Sequence, residues 1–319
     1  MVSLKIDAKD VRGFNYHPGY SSGSLEDWLN FDYSAWEREL TNGKEKFPGM
    51  NTIRIWLSWN AYCRLGTRFI EEVRQIVELC RKLDLYVIPS IFNRWHDPMV
   101  DCDGIYIDHF LPNSSWILKF GDPFGDYIDA LTEEFAQEER ILVWDICNEP
   151  LAYNGDFPWK DIVQKYELEW LGRMADRLRA NGVTQPLGVG STGGEPMSTF
   201  GDMIDVYLTH LYYRGEPVEQ FEETVKRFAE EARQNNKPLF TSECCWGSFD
   251  DKERADMMKV SLEIFRKYDI GFIAHALQYC GCADLHDTQD GRTTSDIGNL
   301  CFINKDGSLR PHHEMFNQF

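Results

Sequence analysis

The chain has 319 residues, 43% of them hydrophobic and 27% charged, with a formal net charge of −19. That composition belongs to a globular protein and excludes a disordered one. The acidic balance argues against a nucleic-acid-binding surface, which needs basic residues to meet phosphates, and no apolar run nears the roughly 20 residues that span a bilayer.

The opening "MVSLKIDAKD" has no apolar signal-peptide core, so the expectation is a cytoplasmic protein, or a secreted one whose leader has been trimmed. Asn113-Ser-Ser matches a glycosylation acceptor, which matters only in an exported protein. The nine cysteines, at 63, 80, 102, 147, 244, 245, 280, 282 and 301, are odd in number and irregularly spaced. Several fall inside apolar segments and read as free core thiols in a reducing compartment. Cys280-Gly-Cys282 lacks zinc-ligand spacing, so neither metal nor cofactor is expected.

In chain order, β-rich runs at 12–16, 52–56, 85–91, 141–147, 186–190, 205–210, 238–243 and 271–277 predict eight strands. Helical periodicity fills the intervals. Phe69, Val73, Ile76, Val77, Cys80 and Leu83 recur at i, i+3, i+4, i+7. Tyr127, Leu131 and Phe135 give a shorter stripe. Ile162, Tyr166, Trp170, Met174 and Leu178 give another, with Gly182 where a C-cap belongs. Phe221, Val225, Phe228 and Ala232 give one more. The helix after the fifth strand is poorly marked, and the one after the eighth is short.

Near-continuously apolar strands separated by helices predict a parallel sheet buried on both faces. Eight such units closed on themselves make a (β/α)8 TIM barrel, here one catalytic domain over 1–319. An open doubly wound sheet would usually carry a Gly-rich phosphate turn after its first strand, and "GFNYHPGYSSG" is not one. The segment 93–123 has little helix signal. It reads as a long loop rising from the C-terminal end of strand three, where barrel active sites sit.

Each strand ends on polar, charged or aromatic residues. Strand four, "ILVWDICNEP", ends on Asn148 and Glu149; strand seven ends on Glu243. A carboxylate ending an apolar strand is costly unless something uses it. Two carboxylates facing across a barrel mouth suit glycoside hydrolysis. One is protonated to donate to the leaving oxygen, and the other is ionised to attack the anomeric carbon or steer water. Glu149, behind an apolar strand, is the better acid; Arg54 and Tyr212 are placed to keep Glu243 ionised. Arg54, His210 and Tyr212 also admit a plain reading as satisfied interior polar groups. Asn93, Trp95 and His96 end strand three. Trp56, Trp59, Trp95 and Trp246 offer flat faces to sugar rings, Trp56 fitting barrel packing equally well. Cys244-Cys245 has no histidine activator nearby in sequence, which argues against a thiol nucleophile.

"WDICNEP" and "PLFTSECCWG" resemble the acid/base and nucleophile strands of the clan A glycoside hydrolases, in particular glycoside hydrolase family 5 and its cellulase-like relatives. "NTIRIW" is similar to that clan's second strand, with Arg54 where its arginine contacts the nucleophile. "THLYY" is similar to the sixth, with His210 and Tyr212 in its His-x-Tyr positions, and "GNLCFINKDGSLRP" is similar to the family's tail. The resemblance implies retention of anomeric configuration, Glu149 as acid/base, Glu243 as nucleophile, and Asn148 on the sugar 2-hydroxyl. The chain departs from the clan on strand eight. There "GFIAHALQYC" has His275 near the position of a tryptophan platform. The clan's usual strand-three histidine is not clearly matched either, with Asn93 or His96 in its neighbourhood.

The expected function is therefore a retaining hydrolase of O-glycosidic bonds in an oligosaccharide or polysaccharide, of β-glucoside or β-mannoside type. Its partner is a carbohydrate, with no nucleic acid and no membrane; the oligomeric state stays open. The alternative is a non-catalytic carbohydrate-binding protein on a glycosidase scaffold, motivated by the missing tryptophan. A metal-dependent barrel hydrolase would want ligands such as His-x-His on an early strand. Strand one offers only Asn15-Tyr16-His17. A loop at 93–123 walling a pocket points to exo action or short oligosaccharides.

Overall fold

The computed structural model describes residues 4–94, 104–105, 109–111, 122–152, 158–281 and 298–319. Eight parallel strands close into a barrel in sequence order. They are β1 (Arg12–Asn15), β2 (Thr52–Trp56), β3 (Tyr86–Asn93), β4 (Trp144–Asn148), β5 (Leu187–Ser191), β6 (Tyr207–His210), β7 (Leu239–Cys244) and β8 (Gly271–Ala274). β8 pairs back onto β1 through Gly13 and Ile273. The fold is the (β/α)8 barrel that the alternating periods predict.

Two helices, α1 (Ser24–Leu29) and α2 (Tyr33–Lys46), follow β1, and α3 (Trp59–Leu65) and α4 (Thr67–Lys82) follow β2. Among the described residues one α-helix follows each of β3, β4, β6 and β7: α5 (Gly125–Phe135), α6 (Lys160–Ala180), α7 (Val218–Gln234) and α8 (Asp251–Lys267). After β5 a kinked 3-10 segment, Met197–Met203, stands where a helix would, and the 3-10 segment His313–Gln318 follows β8. These are the two intervals where the helical pattern is weakest. Helix starts follow local chemistry. The Asp32 carboxylate accepts from the Ser34 and Ala35 amides, and Asp250 does the same for Lys252 and Glu253.

The apolar stripe of α4 is buried as its period requires, from Phe69 to Cys80. In α6 the stripe is corrected. Ile162 is 52% exposed, and the buried face runs through Val163, Glu167, Trp170, Leu171 and Met174. That face holds the Glu167 carboxylate 2.7 Å from Arg94 Nε, a buried pair that apolar periodicity does not register.

Two large bodies of apolar contact result, beside a small third of Ala276, Cys280 and Leu300. One lies between the strands and the helices. The other gathers Val11, Ile88, Val143, Leu208, Phe240 and Ile273 from around the ring, and such residues can meet only across the barrel lumen. Of the expected loop 93–123, Ile105 and Phe110 are buried, Phe110 stacking on Trp170 at 5.6 Å. Trp95, His96 and Asn113 lie outside the described residues. Among the described residues, no helix is long and apolar enough to cross a membrane.

Candidate active site

The polar layer of the barrel is built on Arg54, a fully buried guanidinium in the middle of β2. Its Nε and Nη2 donate to Asp145 Oδ2 at 3.0 and 2.6 Å. Its Nη1 donates to Asn15 Oδ1 at 2.9 Å and to Glu243 Oε1 at 2.7 Å, while Nη2 also reaches Asn148 Oδ1 at 2.7 Å. One side chain thus ties β1, β2, β4 and β7 together. Room for it comes from β5: a Cβ on Gly190 would sit 2.8 Å from Arg54 Nη2 and 3.1 Å from Asp145 Oδ2.

Both strands that deliver a glutamate carry one extra residue near their C-terminal ends. On β4 the register advances from Asp145 to Asn148 while β5 advances only from Gly188 to Gly190. On β7 it advances from Thr241 to Cys244 while β8 advances from Phe272 to Ala274. Such bulges bend a strand and re-aim its side chains. Glu149 then turns left-handed, at φ 49°, with its amide bonded to Gly190 O at 2.7 Å. A non-glycine residue there costs roughly 1–3 kcal/mol and persists only where surroundings impose it.

The two carboxylates meet around His210. Its Nδ1 is 2.7 Å from Glu149 Oε1 and 3.4 Å from Glu243 Oε2. A side-chain ligand atom from each of Glu149, His210 and Glu243 lies within 4.8 Å of the others. Tyr212 OH donates to Glu243 Oε2 at 2.7 Å. Burial pushes the Glu243 carboxyl up. The charges of His210, His275 and Arg54 and the Tyr212 hydrogen bond outweigh it and hold the group well below the usual carboxylate range. Arg54, ionised throughout the working pH range, is the permanent part of that stabilisation. Burial and the Glu243 charge push the Tyr212 phenol well up, so it stays a donor.

Asn148 turns its oxygen to Arg54 and its Nδ2 to Asn93 Oδ1 at 2.8 Å, so Asn93 braces Asn148 from β3. Trp246 sits edge-on to Tyr212 at 5.0 Å, with the Arg214 guanidinium 4.0 Å from its ring centroid. His275 lies just past β8, half-buried, 6.2 Å from Trp56. The structure thus brings together Arg54, Asn148, Glu149, His210, Tyr212, Glu243 and His275, with Asn93 behind them and Trp246 beside Tyr212. Trp59 is not a surface platform: it is buried against Phe124, and its Nε1 donates to Pro123 O at 3.1 Å.

Over residues 10–281 the sequence matches the family described as cellulase (glycosyl hydrolase family 5). The chain belongs to glycoside hydrolase family 5. No curated protein matches it. Among solved structures, the exo-β-1,4-mannosidase Op5Man5 from Opitutaceae bacterium strain TAV5 is similar at TM-score 0.74 and 16% identity, over 99% of this chain and 60% of that one. A Bacteroides uniformis β-glucuronidase is similar at TM-score 0.65 and 17% identity, over 96% of this chain and 34% of that one. The endo-β-1,4-mannanase from Thermotoga petrophila is similar at TM-score 0.64 and 14% identity, over 97% and 75%. This family 5 chain therefore spans 60% of the length of the mannosidase and 34% of that of the glucuronidase, and at these identities the likeness is one of fold.

Sequence reading gave no role to four residues in and around this cluster of the family 5 chain. Asp145 and Asn15 complete the Arg54 cluster, and His17 pairs with Asp27 beside Trp56. A signal existed for Asp145, an acid inside an apolar strand of a chain that also carries an arginine inside another. For His17 and Asp27, ten residues apart in a loop and a short helix, there was none.

Proposed function

We propose that the protein is a retaining glycoside hydrolase in which Glu243 is the nucleophile and Glu149 the acid/base, acting on a β-glucoside or β-mannoside by double displacement. The observation that carries this is the carboxylate spacing. Ligand atoms of Glu149 and Glu243 within 4.8 Å of each other support direct attack, since retaining enzymes hold the pair about 5–5.5 Å apart and inverting ones about 6.5–9.5 Å.

In the first step a Glu243 oxygen forms a bond to the anomeric carbon as the bond to the leaving oxygen breaks. Glu149 gives that oxygen its proton. In the second step Glu149 takes a proton from water, the water oxygen bonds to the anomeric carbon, and Glu243 leaves as carboxylate. Arg54 and Tyr212 support the role of Glu243, since both favour its ionised form. His210, at 2.7 Å from Glu149, holds the acid toward the same point. Asn148, its oxygen committed to Arg54, has amide hydrogen left for the sugar 2-hydroxyl. Family membership and the neighbours named as mannosidase and mannanase favour a β-mannoside as the first substrate to try, with β-glucosides beside it.

The test is a panel of aryl glycosides and oligosaccharides, with the anomer of the first product followed by NMR. Retention in the wild type and silence in Glu243→Ala support the reading. An inverted product breaks it, and sugar binding without turnover favours a carbohydrate-binding scaffold instead.

A further inference from the structure

His275 is half-buried, and its Nδ1, out of reach of solvent, has no hydrogen-bond partner among the described residues. A buried ring nitrogen left unpaired costs about 1–3 kcal/mol, so an orphan beside a reaction centre marks where a ligand atom belongs. The titratable groups that act on this ring are those of the site: Glu243, His17, Arg54 and His210. Burial brings its pKa down to about 4, so the ring is neutral near pH 7 and offers hydrogen bonds rather than charge. The Arg254 guanidinium fixes its backbone, donating to His275 O at 3.2 Å.

His17, in the loop after β1, stacks on Trp56 with centroids 4.5 Å apart and 15° between planes. Its Nδ1 lies 2.6 Å from Asp27 Oδ2 in α1, and both residues are buried. That contact commits one ring nitrogen and sets the ring's orientation. It leaves Nε2 uncommitted among the described residues. Neither His17 nor Asp27 has a part in the chemistry of Glu149 and Glu243.

We propose that His275 and His17 each read a hydroxyl of the sugar held against Glu243, with Asp27 as the positioning residue for His17; the inference rests on the glycosidase reading above. The substrate class is an uncharged sugar. A uronic acid would find no spare arginine at the His275 ring, on which the arginine that acts is Arg54. The Arg54 guanidinium is taken up by Asp145, Glu243, Asn148 and Asn15, and His275 is neutral.

The experiment measures kcat/KM for the wild type, His275→Leu, His275→Gln, His17→Leu and Asp27→Asn, each first checked for a cooperative thermal transition. Substrates are the aryl glycoside turned over best, its monodeoxy analogues and the matching uronide. In the wild type two deoxy analogues are expected to lose about 10–100-fold, the loss from leaving a buried polar group unpaired. One penalty shrinks to about twofold in His275→Leu and survives in His275→Gln. The other shrinks in both His17→Leu and Asp27→Asn, as coupled partners require. The uronide is turned over at least about tenfold less well than the neutral glycoside. Deoxy penalties identical in folded variants and wild type overturn the pair while leaving the glycosidase reading intact, and so does a preference for the uronide. If the wild type hydrolyses nothing, the glycosidase reading fails. The same cycle is then read by calorimetry with the free monosaccharide and its deoxy forms. A variant-dependent pattern there supports the hydroxyl-reading pair; a flat one, or no binding, overturns it.

Discussion

Arg54 Nη1 lies 2.7 Å from Glu243 Oε1, with the arginine side chain at 0% exposure and the glutamate at 8%. An ion pair so far from water loses much of its Coulomb gain to the cost of desolvation. What makes this one tenable is that the guanidinium spends its other donors on Asp145, Asn15 and Asn148. Replacing Arg54 with Ala or Met leaves two buried carboxylates without their cation. The expected loss is about 3–5 kcal/mol of stability, read by denaturant unfolding, together with loss of turnover. Arg54→Lys, a point charge that cannot fork between carboxylates, is expected to recover part of the stability and little of the activity.

Tyr212→Phe removes a donor from the ionised form of Glu243 while leaving the ring in place. The Glu243 pKa then rises, and the acidic limb of the kcat/KM profile moves to higher pH. A limb that stays put while kcat alone falls would contradict this placement of the phenol. The same carboxyl bears on folding. Its folded pKa lies below the unfolded value of about 4.3, so its contribution is complete above that value and is lost as pH falls toward the folded one.

Two histidines act in a higher window. Burial lowers His275 to about 4 and His313 to about 3, while an unfolded histidine titrates near 6.5. The unfolded chain binds the extra protons, so these two groups stabilise the fold fully above about pH 6.5. That contribution declines as pH falls through their folded values, with a slope of up to about 1.4 kcal/mol per pH unit for each. Denaturation midpoints between pH 7 and 4 are expected to show it, and His313→Gln is expected to flatten the curve.

The two glutamates separate by leaving group. Glu149→Ala is expected to lose about 10²–10⁴-fold on glycosides with poor leaving groups and far less on activated aryl glycosides. Azide, which needs no general base, should then accelerate the second step and appear in the product. Glu243→Ala should respond to neither the leaving group nor azide acting at that step.

Gly190→Ala tests the space that β5 yields to the cluster. The new methyl meets Arg54 Nη2 at 2.8 Å, Asp145 Oδ2 at 3.1 Å and His210 Nε2 at 3.1 Å. Forcing these groups apart is expected to cost about 1–3 kcal/mol and to lower kcat, read by thermal unfolding and by turnover on the same preparation.

The eight strands and the stripe of α4 were legible because both are local periods, written by side chains that must face one core. Glu149 and Glu243 were legible because charge at the end of an apolar strand has a steep cost, and the motifs around them resemble a family. The α6 face was misjudged at Ile162, where a buried Glu167–Arg94 pair rotates the helix away from its apolar count. Asp145 needed its partner, since a buried acid is intelligible only beside Arg54, 91 residues earlier. Asn15, the bulges of β4 and β7, and the seating of His17 on Trp56 and Asp27 left no periodic mark. Barrel closure puts Arg54 against a carboxylate 189 residues away, and register decides which oxygen it meets. Identity and order along the chain name the groups; only the closed ring, where strands distant in sequence become neighbours around one axis, sets their distances, protonation and aim.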